Sequence, residues 1–161
     1  MQTLKELTST FAKNGKLEWI GVRPERRAGL MSLGSVTVTM SGLSGDHNNN
    51  GGKRSVTLVQ AEHLPAVAAF SGLDEVNPQQ LRRNLVISGI NLLGLRNKPF
   101  QIGEVIFEGT GICAPCSRME ETLGRGGYSA VRGHGGITAR VVSQGMLHLG
   151  DVLTPIPEEN S

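Results

Sequence analysis

The chain has 161 residues, of which 38% are hydrophobic and 19% charged, so it has the size of one domain with its own core. The net charge is only +2 and the basic residues are spread along the sequence, which argues against a nucleic-acid partner and favours a small anion as guest. The N-terminus lacks a signal-like apolar segment, and no later segment approaches the ~20 apolar residues of a membrane span. We therefore expect a cytoplasmic protein without a membrane partner.

Composition predicts a mainly β fold. Twenty-two glycines, 4% aromatics and short valine, isoleucine and threonine runs are typical of many short strands joined by tight turns, as in a β-barrel. A short helix within residues 1–15 is predicted by Leu4, Leu7 and Phe11 at helical spacing, after a Thr3 cap with Glu6 three residues on.

The remaining elements follow in chain order as strands with a few short helices. Strands are expected at 19–24, 35–40, 55–60, 84–95, 104–112, 137–145 and 152–156, and helices at 61–70, 77–84 and 117–123. Turn residues dominate 41–54, which predicts a long polar loop, and glycines dominate the connection 124–136. Residues 155–161 are expected to form a frayed tail of a single domain.

Both cysteines lie in the segment "CAPCSRMEETLG", at Cys113 and Cys116. A structural zinc site would need further ligands, and no histidine of the sequence forms a close-spaced second pair: His47, His63, His134 and His148. A thioredoxin-type redox couple and a pair of buried core thiols are the two other interpretations.

Position along the chain distinguishes the two thiols. Cys113 ends an apolar strand, whereas Cys116 opens a polar segment at the start of a predicted helix. The helix N-terminus and Arg118 would both favour a thiolate at Cys116, while Glu120 and Glu121 would partly oppose it. If one cysteine is functional, Cys116 is the better candidate.

Several separated motifs resemble one known family. The segments "GLSGDH", "RRNLVISG", "IGEVIFEG", "CAPCSRMEETLG" and "GMLHLGDVL" occur in the order found in the MOSC domain, the C-terminal module of molybdenum cofactor sulfurases. The resemblance spans about Gly42 to Leu153. It implies a MOSC-type β-barrel with short peripheral helices that binds the molybdenum cofactor, a pterin dithiolene bearing a phosphate.

The resemblance also implies particular site residues. The family's cysteine, which is a molybdenum ligand or a sulfur carrier, matches Cys116, and the family's Arg-x-Asn of the cofactor pocket matches Arg82 and Asn84. A thiolate suits molybdenum, and arginine suits phosphate. Further candidates for anion binding lie beside these motifs: Asp46, His47, Lys53 and Arg54 in the long loop, and Arg118 after the cysteine.

Simpler interpretations of these residues stay open. Without the resemblance, a solvated helix end is the preferred interpretation of Arg82 and Arg83, and Asn84 alone would be a cap or turn residue. A mobile surface hairpin is at least as well supported for the loop at 46–54. The glycine-rich connection also offers Tyr128, Arg132 and His134. Their side chains could cover the pocket over Cys116, or they could be exposed without a functional role.

The expected activity is molybdenum-centred reduction of a small, for example N-hydroxylated, substrate, or transfer of sulfur from a Cys116 persulfide. Unlike the sulfurases, this sequence carries no pyridoxal-phosphate desulfurase domain, and it has no evident electron-entry module. Electron-donor, sulfur-donor or sulfur-acceptor proteins are therefore expected partners. A non-catalytic cofactor carrier and a cytosolic dithiol redox protein are the alternatives.

Overall fold

A computed structural model describes residues 1–157, which form eleven strands and five α-helices. The strands are β1 (Gly15–Val22), β2 (Met31–Leu33), β3 (Ser35–Thr39), β4 (Gly42–Leu43), β5 (Val56–Gln60), β6 (Leu85–Ser88), β7 (Pro99–Ile102), β8 (Val105–Ile112), β9 (Ile137–Ser143), β10 (Gly145–His148) and β11 (Val152–Pro155). The helices are α1 (Leu4–Thr8), α2 (His63–Ser71), α3 (Pro78–Leu81), α4 (Arg118–Leu123) and α5 (Gly127–Val131), with a 3-10 helix at Leu92–Leu95.

Seven strands close into a mixed barrel in the order β11-β7-β8-β9-β5-β6-β1. The ring closes because β1 pairs with β6 and also, through Gly15 and Lys16, with β11. β5 and β6 run parallel, and the connection between them contains α2 and α3. A small sheet of β10, β3 and β4 stands beside the barrel. The predicted mainly β barrel with short peripheral helices is confirmed.

Two hydrophobic cores explain the apolar runs of β5 and β6. Leu58, Leu85 and Ile87 point into the barrel core, whereas Val59 and Val86 belong to a second core under the helices. The second core also includes Leu81, Met119 and Leu123 from α3 and α4. Apolar residues pack on both faces of these strands, so Leu58 and Val59 in β5 and Leu85 to Ile87 in β6 follow one another instead of alternating with polar residues.

Several predicted elements differ from those found, and the strand predicted at 19–24 runs from Gly15 to Val22. The capping box of Thr3 and Glu6 is present, but α1 ends at Thr8, and Phe11 packs against the barrel core. Residues 92–95, predicted as strand, form the 3-10 helix, and the side chain of the preceding Asn91 accepts a hydrogen bond from the Leu93 N–H. α3 is shorter than predicted because Arg82 adopts a left-handed φ of 58°, which ends the helix.

Some elements were not predicted, namely β2, β4, β7, β10 and α5. They are short, and β4 and α5 lie in segments whose glycines indicated only loops. The predicted frayed tail at 155–161 falls largely outside the described residues, and Pro155 itself belongs to β11. In the part of the chain that the structure describes, none of the helices has the length and apolarity to cross a bilayer.

Candidate cofactor site

Strand register brings the first predicted residues together. β1 runs antiparallel to β6 with Ile20 opposite Leu85, and the Gly21 N–H donates to the Asn84 carbonyl at 2.7 Å. Arg23 follows the last residue of β1, so this register places it beside the segment 82–84 that leads into β6. The segment 116–118 lies beside Arg23 and the segment 82–84, because α3 and α4 both pack in the second core under the helices.

These segments line a cleft of about 440 Å³, within the usual range for small-molecule sites. We call it the Cys116 cleft. Its lining residues are Arg23, Arg26, Arg27, His47, Thr57, Arg82, Arg83, Cys116, Ser117 and Arg118. Of the predicted site residues, the structure thus brings together Cys116, Arg82, Arg118 and His47 in one place.

The charge of this cleft is strongly positive. Six arginines line it, although the whole chain carries a net charge of only +2. Among residues 1–157, no carboxylate lies within 4.0 Å of any of these guanidinium groups. Burial and then Arg82 lower the pKa of Arg23, and burial and then Arg118 lower the pKa of Arg82, as expected for cations held close together. An anion is the natural counterpart of such a site.

Arg82 occupies a sparsely populated backbone conformation at the edge of the cleft. Besides Arg82, only Asn97 among non-glycine residues of the described range has a positive φ, also 58°. The Arg82 Nη2 donates to the Arg26 carbonyl at 3.1 Å, and the Arg23 Nη1 donates to the same carbonyl at 3.2 Å. Two guanidinium groups therefore hold the segment 24–29, which we call the arginine loop, against the cleft.

The two cysteines face different surroundings. Cys116 is exposed and lines the cleft just described, whereas Cys113 is 5% exposed. Cys113 lines a neighbouring cleft of about 540 Å³, the Cys113 cleft, together with Asn48, Asn50, Gly52, Lys53, Arg54, Thr57 and Thr138. Burial raises the pKa of the Cys113 thiol. Both thiols are free, and Thr57 is the residue that the two clefts share.

Arg83, rather than Arg82, is the buried arginine of the pair. Its side chain is fully engaged with backbone carbonyls: Nε donates to Gly135 at 2.8 Å, Nη1 to Leu81 at 3.0 Å and Nη2 to Ala114 at 3.0 Å. Arg83 therefore fixes the segment that carries the cysteines. The interpretation of a solvated helix end fits only Arg82, which is partly exposed.

Asn84 and Asp46 also organise the backbone around the cleft. The Asn84 Oδ1 accepts from the Thr57 N–H and hydroxyl, both at 3.1 Å, and its Nδ2 donates to the Gly21 carbonyl at 3.0 Å. The Asp46 Oδ1 accepts from the Arg23 N–H at 2.8 Å. Neither side chain lines the cleft, so the structure gives both a positioning contact.

The remaining candidates lie elsewhere. Lys53 and Arg54 line the Cys113 cleft. His134 packs edge-on against His63 and Phe70 at ring distances of 5.0 and 5.5 Å, away from the Cys116 cleft, and Tyr128 and Arg132 are exposed and do not line it either. Within residues 1–157 no three His, Cys, Asp or Glu side chains are grouped to hold a metal ion.

Sequence reasoning missed three arginines of the cleft, Arg23, Arg26 and Arg27. The signal was present, since "VRPERR" places three arginines directly after a buried strand. The β1–β6 register, which brings Arg23 beside Arg82, is not visible in the sequence. The sequence predicts Arg83 at a solvated helix end. Its burial depends on carbonyls of Ala114 and Gly135, which lie far away in the sequence.

The fold and the site describe a β-barrel protein with a basic cleft that carries an exposed thiol. A comparison with protein families assigns such a barrel to this chain as well. The family model described as "MOSC domain" matches residues 45–154, so the chain belongs to the MOSC domain family. This family is known in general for binding the molybdenum cofactor. No curated protein sequence gives a significant match.

Similar solved structures support the same fold. The YUAD protein from Bacillus subtilis matches with a TM-score of 0.79 and 16% identity over 89% of this chain and 97% of that chain. YiiM from Escherichia coli matches with a TM-score of 0.71 and 18% identity, covering 91% and 72% of the two chains. YiiM from Geobacillus stearothermophilus gives 0.73 and 15%, covering 89% and 75%. At these identities the likeness concerns the fold.

Proposed function

We propose that this protein binds the molybdenum cofactor in the Cys116 cleft, with the Cys116 thiolate as the protein's ligand to molybdenum, and reduces a small N-hydroxylated substrate. The observation that carries this proposal is one exposed thiol in a cleft whose arginines have no carboxylate partner among residues 1–157. Such a site offers a soft ligand for a metal and charge-assisted hydrogen bonds for a phosphate, the two features that the cofactor presents.

The residues present fit the cofactor. Arg23 and Arg82 each interact electrostatically with Cys116 and with Arg118, which also lines the cleft. They would hold the cofactor's phosphate and stabilise the thiolate. Asp46 would orient Arg23 through its backbone N–H, and Asn84 would fix the position of Thr57 at the cleft wall. Lys53 and Arg54, in the neighbouring cleft, would contact only a ligand that extends past Thr57.

When bound, the cofactor supplies a metal centre that exchanges two electrons. The overall reaction is R–NHOH + 2e⁻ + 2H⁺ → R–NH₂ + H₂O, with the electrons from an external donor protein. His47 lines the cleft and is the one imidazole among its lining residues within the described chain. Burial and then Arg23 lower its pKa, so its imidazole is largely neutral and can relay a proton toward the departing hydroxyl.

Metal and pterin analysis tests this proposal. The protein is purified from cells that make the cofactor, and molybdenum and oxidised pterin are measured for the natural chain, Cys116→Ser and Cys113→Ser. We expect cofactor in the natural chain and a loss of hydroxamic acid reduction by at least about 100-fold in Cys116→Ser, because the metal loses its protein ligand. Cys113→Ser is the matched control and should retain activity within about twofold.

The outcomes separate the rival functions. Absence of both molybdenum and pterin from the natural chain would overturn the proposal. Sulfur delivery is favoured over reduction if mass spectrometry finds a persulfide on exposed Cys116 and no substrate is reduced. Loaded protein with neither activity would be a cofactor carrier, and equal loss in both serine variants would favour a dithiol redox protein.

A further inference from the structure

Three guanidinium groups of the Cys116 cleft, those of Arg26, Arg27 and Arg118, have no hydrogen-bond or salt-bridge partner in the described part of the chain, and two of them lie on the arginine loop. The side chains of Arg26 and Arg27 make no hydrogen bond or salt bridge within residues 1–157, and both line the cleft from the arginine loop. Both residues are exposed, so their guanidinium groups are hydrated and available. Arg83, in contrast, spends its donors on carbonyls.

The arginine loop is held in place beside the cleft. The carbonyl of Arg26 accepts from both Arg23 and Arg82, and a turn is closed by the Ala28 N–H, which donates to the Glu25 carbonyl at 3.1 Å. Glu25 does not line the cleft, so it does not neutralise Arg26 and Arg27 there. The backbone that carries these two cations is therefore held beside the cleft before any ligand arrives, which reduces the entropy cost of ordering the loop.

The arginine loop is a different segment from those that carry the other arginines of the cleft. Arg118 is two residues from Cys116 in the chain, and the charges of Arg23 and Arg82 interact with that of Cys116. In the proposed function these three arginines hold the cofactor. Arg26 and Arg27 are exposed at the cleft and remain available to a second anion.

We infer that Arg26 and Arg27 bind a carboxylate or phosphate group of the substrate, so that the protein acts on anionic N-hydroxylated compounds in preference to neutral ones. This inference rests on the proposed function. It assigns the arginine loop to substrate selection and leaves the cofactor to Arg23, Arg82 and Arg118. The shared chemistry is a small anion held by an arginine pair, and a carboxylate and a phosphate are its two sources.

Binding of reaction products to the cofactor-loaded protein tests the inference without turnover. Calorimetry compares benzamide, 4-carboxybenzamide and the 4-phosphate ester of 4-hydroxybenzamide. We expect the anionic amides to bind about tenfold more tightly than the neutral one, a preference that weakens with added salt because the arginines are exposed. Whichever anion gains more identifies the natural group. Reduction of the corresponding hydroxamic acids should show the same preference in kcat/KM.

Matched double variants assign the effect to the arginine loop. Arg26→Ala/Arg27→Ala should lower the preference to within about twofold, whereas Arg26→Lys/Arg27→Lys should keep most of it. Arg125→Ala/Arg132→Ala removes the same charge from exposed arginines outside the cleft and should leave the preference unchanged. A preference that persists in Arg26→Ala/Arg27→Ala, or is absent from the natural chain, would overturn the inference.

The metal analysis keeps this failure distinct from failure of the proposed function. Loaded protein without anion preference loses only the inference about Arg26 and Arg27. Protein that holds no molybdenum and no pterin loses the proposed function, and the inference falls with it.

Discussion

The Cys116 cleft and the Cys113 cleft lie side by side and share Thr57, yet they differ in how they are built. The cations of the Cys113 cleft, Lys53 and Arg54, are neighbours on a single loop. Those of the Cys116 cleft come from the end of β1, the entry to β6 and the start of α4. Two cysteines three positions apart thus belong to two environments, and the one assembled from several segments concentrates the charge.

The strongest way to break this contrast is to remove Arg83. Arg83→Leu keeps much of the volume but leaves the carbonyls of Gly135, Leu81 and Ala114 without their donor. We expect the free energy of unfolding to fall by about 3 kcal/mol, measured by urea denaturation. Arg82→Leu is the matched control, and it should cost no more than about 1 kcal/mol because Arg82 is partly exposed. Equal losses in both variants would show that Arg83 does not fix the segment that carries the two cysteines.

Thiol reactivity sharpens the same contrast. In cofactor-free protein, iodoacetamide should alkylate exposed Cys116 at least about 100-fold faster than Cys113, which reacts only when the structure opens. Burial raises the pKa of the Cys113 thiol, so a smaller fraction of it is the reactive thiolate at a given pH than for an unshifted thiol. Peptide mass spectrometry over time measures both rates, and urea-unfolded protein is the control in which they should converge. Similar rates in the folded protein would contradict the assignment of the thiols to different surroundings.

The smallest expected effect concerns His47, which lines only the Cys116 cleft. Burial and Arg23 lower its pKa, and a bound anion should raise it again, so anion affinity should increase as His47 becomes protonated. Sulfate binding to the cofactor-free protein should strengthen roughly threefold between about pH 7.5 and 5.5, as measured by calorimetry.

His47→Gln should flatten this pH dependence, because glutamine does not titrate. His63→Gln is the matched control, since burial and His134 also lower the pKa of His63 but it lies outside the cleft. A pH dependence that survives His47→Gln would assign the proton to another group.

Local sequence signals were sufficient for the barrel class and for the ends of several elements. The cap at Thr3 and Glu6, the alternation at Val36 and Val38, and the turn-rich loop after β3 all follow from short-range rules. The 3-10 helix at Leu92–Leu95 did not follow. An apolar run of that length fits strand and buried helix alike, and the Asn91 cap decides it.

The candidate site was predictable where a motif carried it and not where pairing assembled it. Cys116, Arg82, His47 and Arg118 were predicted and line one cleft. The contribution of Arg23 depends on the register of β1 against β6, which no single sequence displays. The placement of Arg54 in the other cleft likewise depends on how the loop folds back over Cys113.

The number of residues between α3 and β6 is constrained by Arg82, Arg83 and Asn84. Arg82 lines the cleft from its left-handed turn, Arg83 reaches buried carbonyls, and Asn84 ties β5 to β1. The three side chains occupy three different environments. A residue inserted or deleted between Leu81 and Leu85 would therefore place each of these side chains in an environment that does not suit it. Point substitutions here remove one contact at a time, whereas a one-residue insertion or deletion removes all three at once.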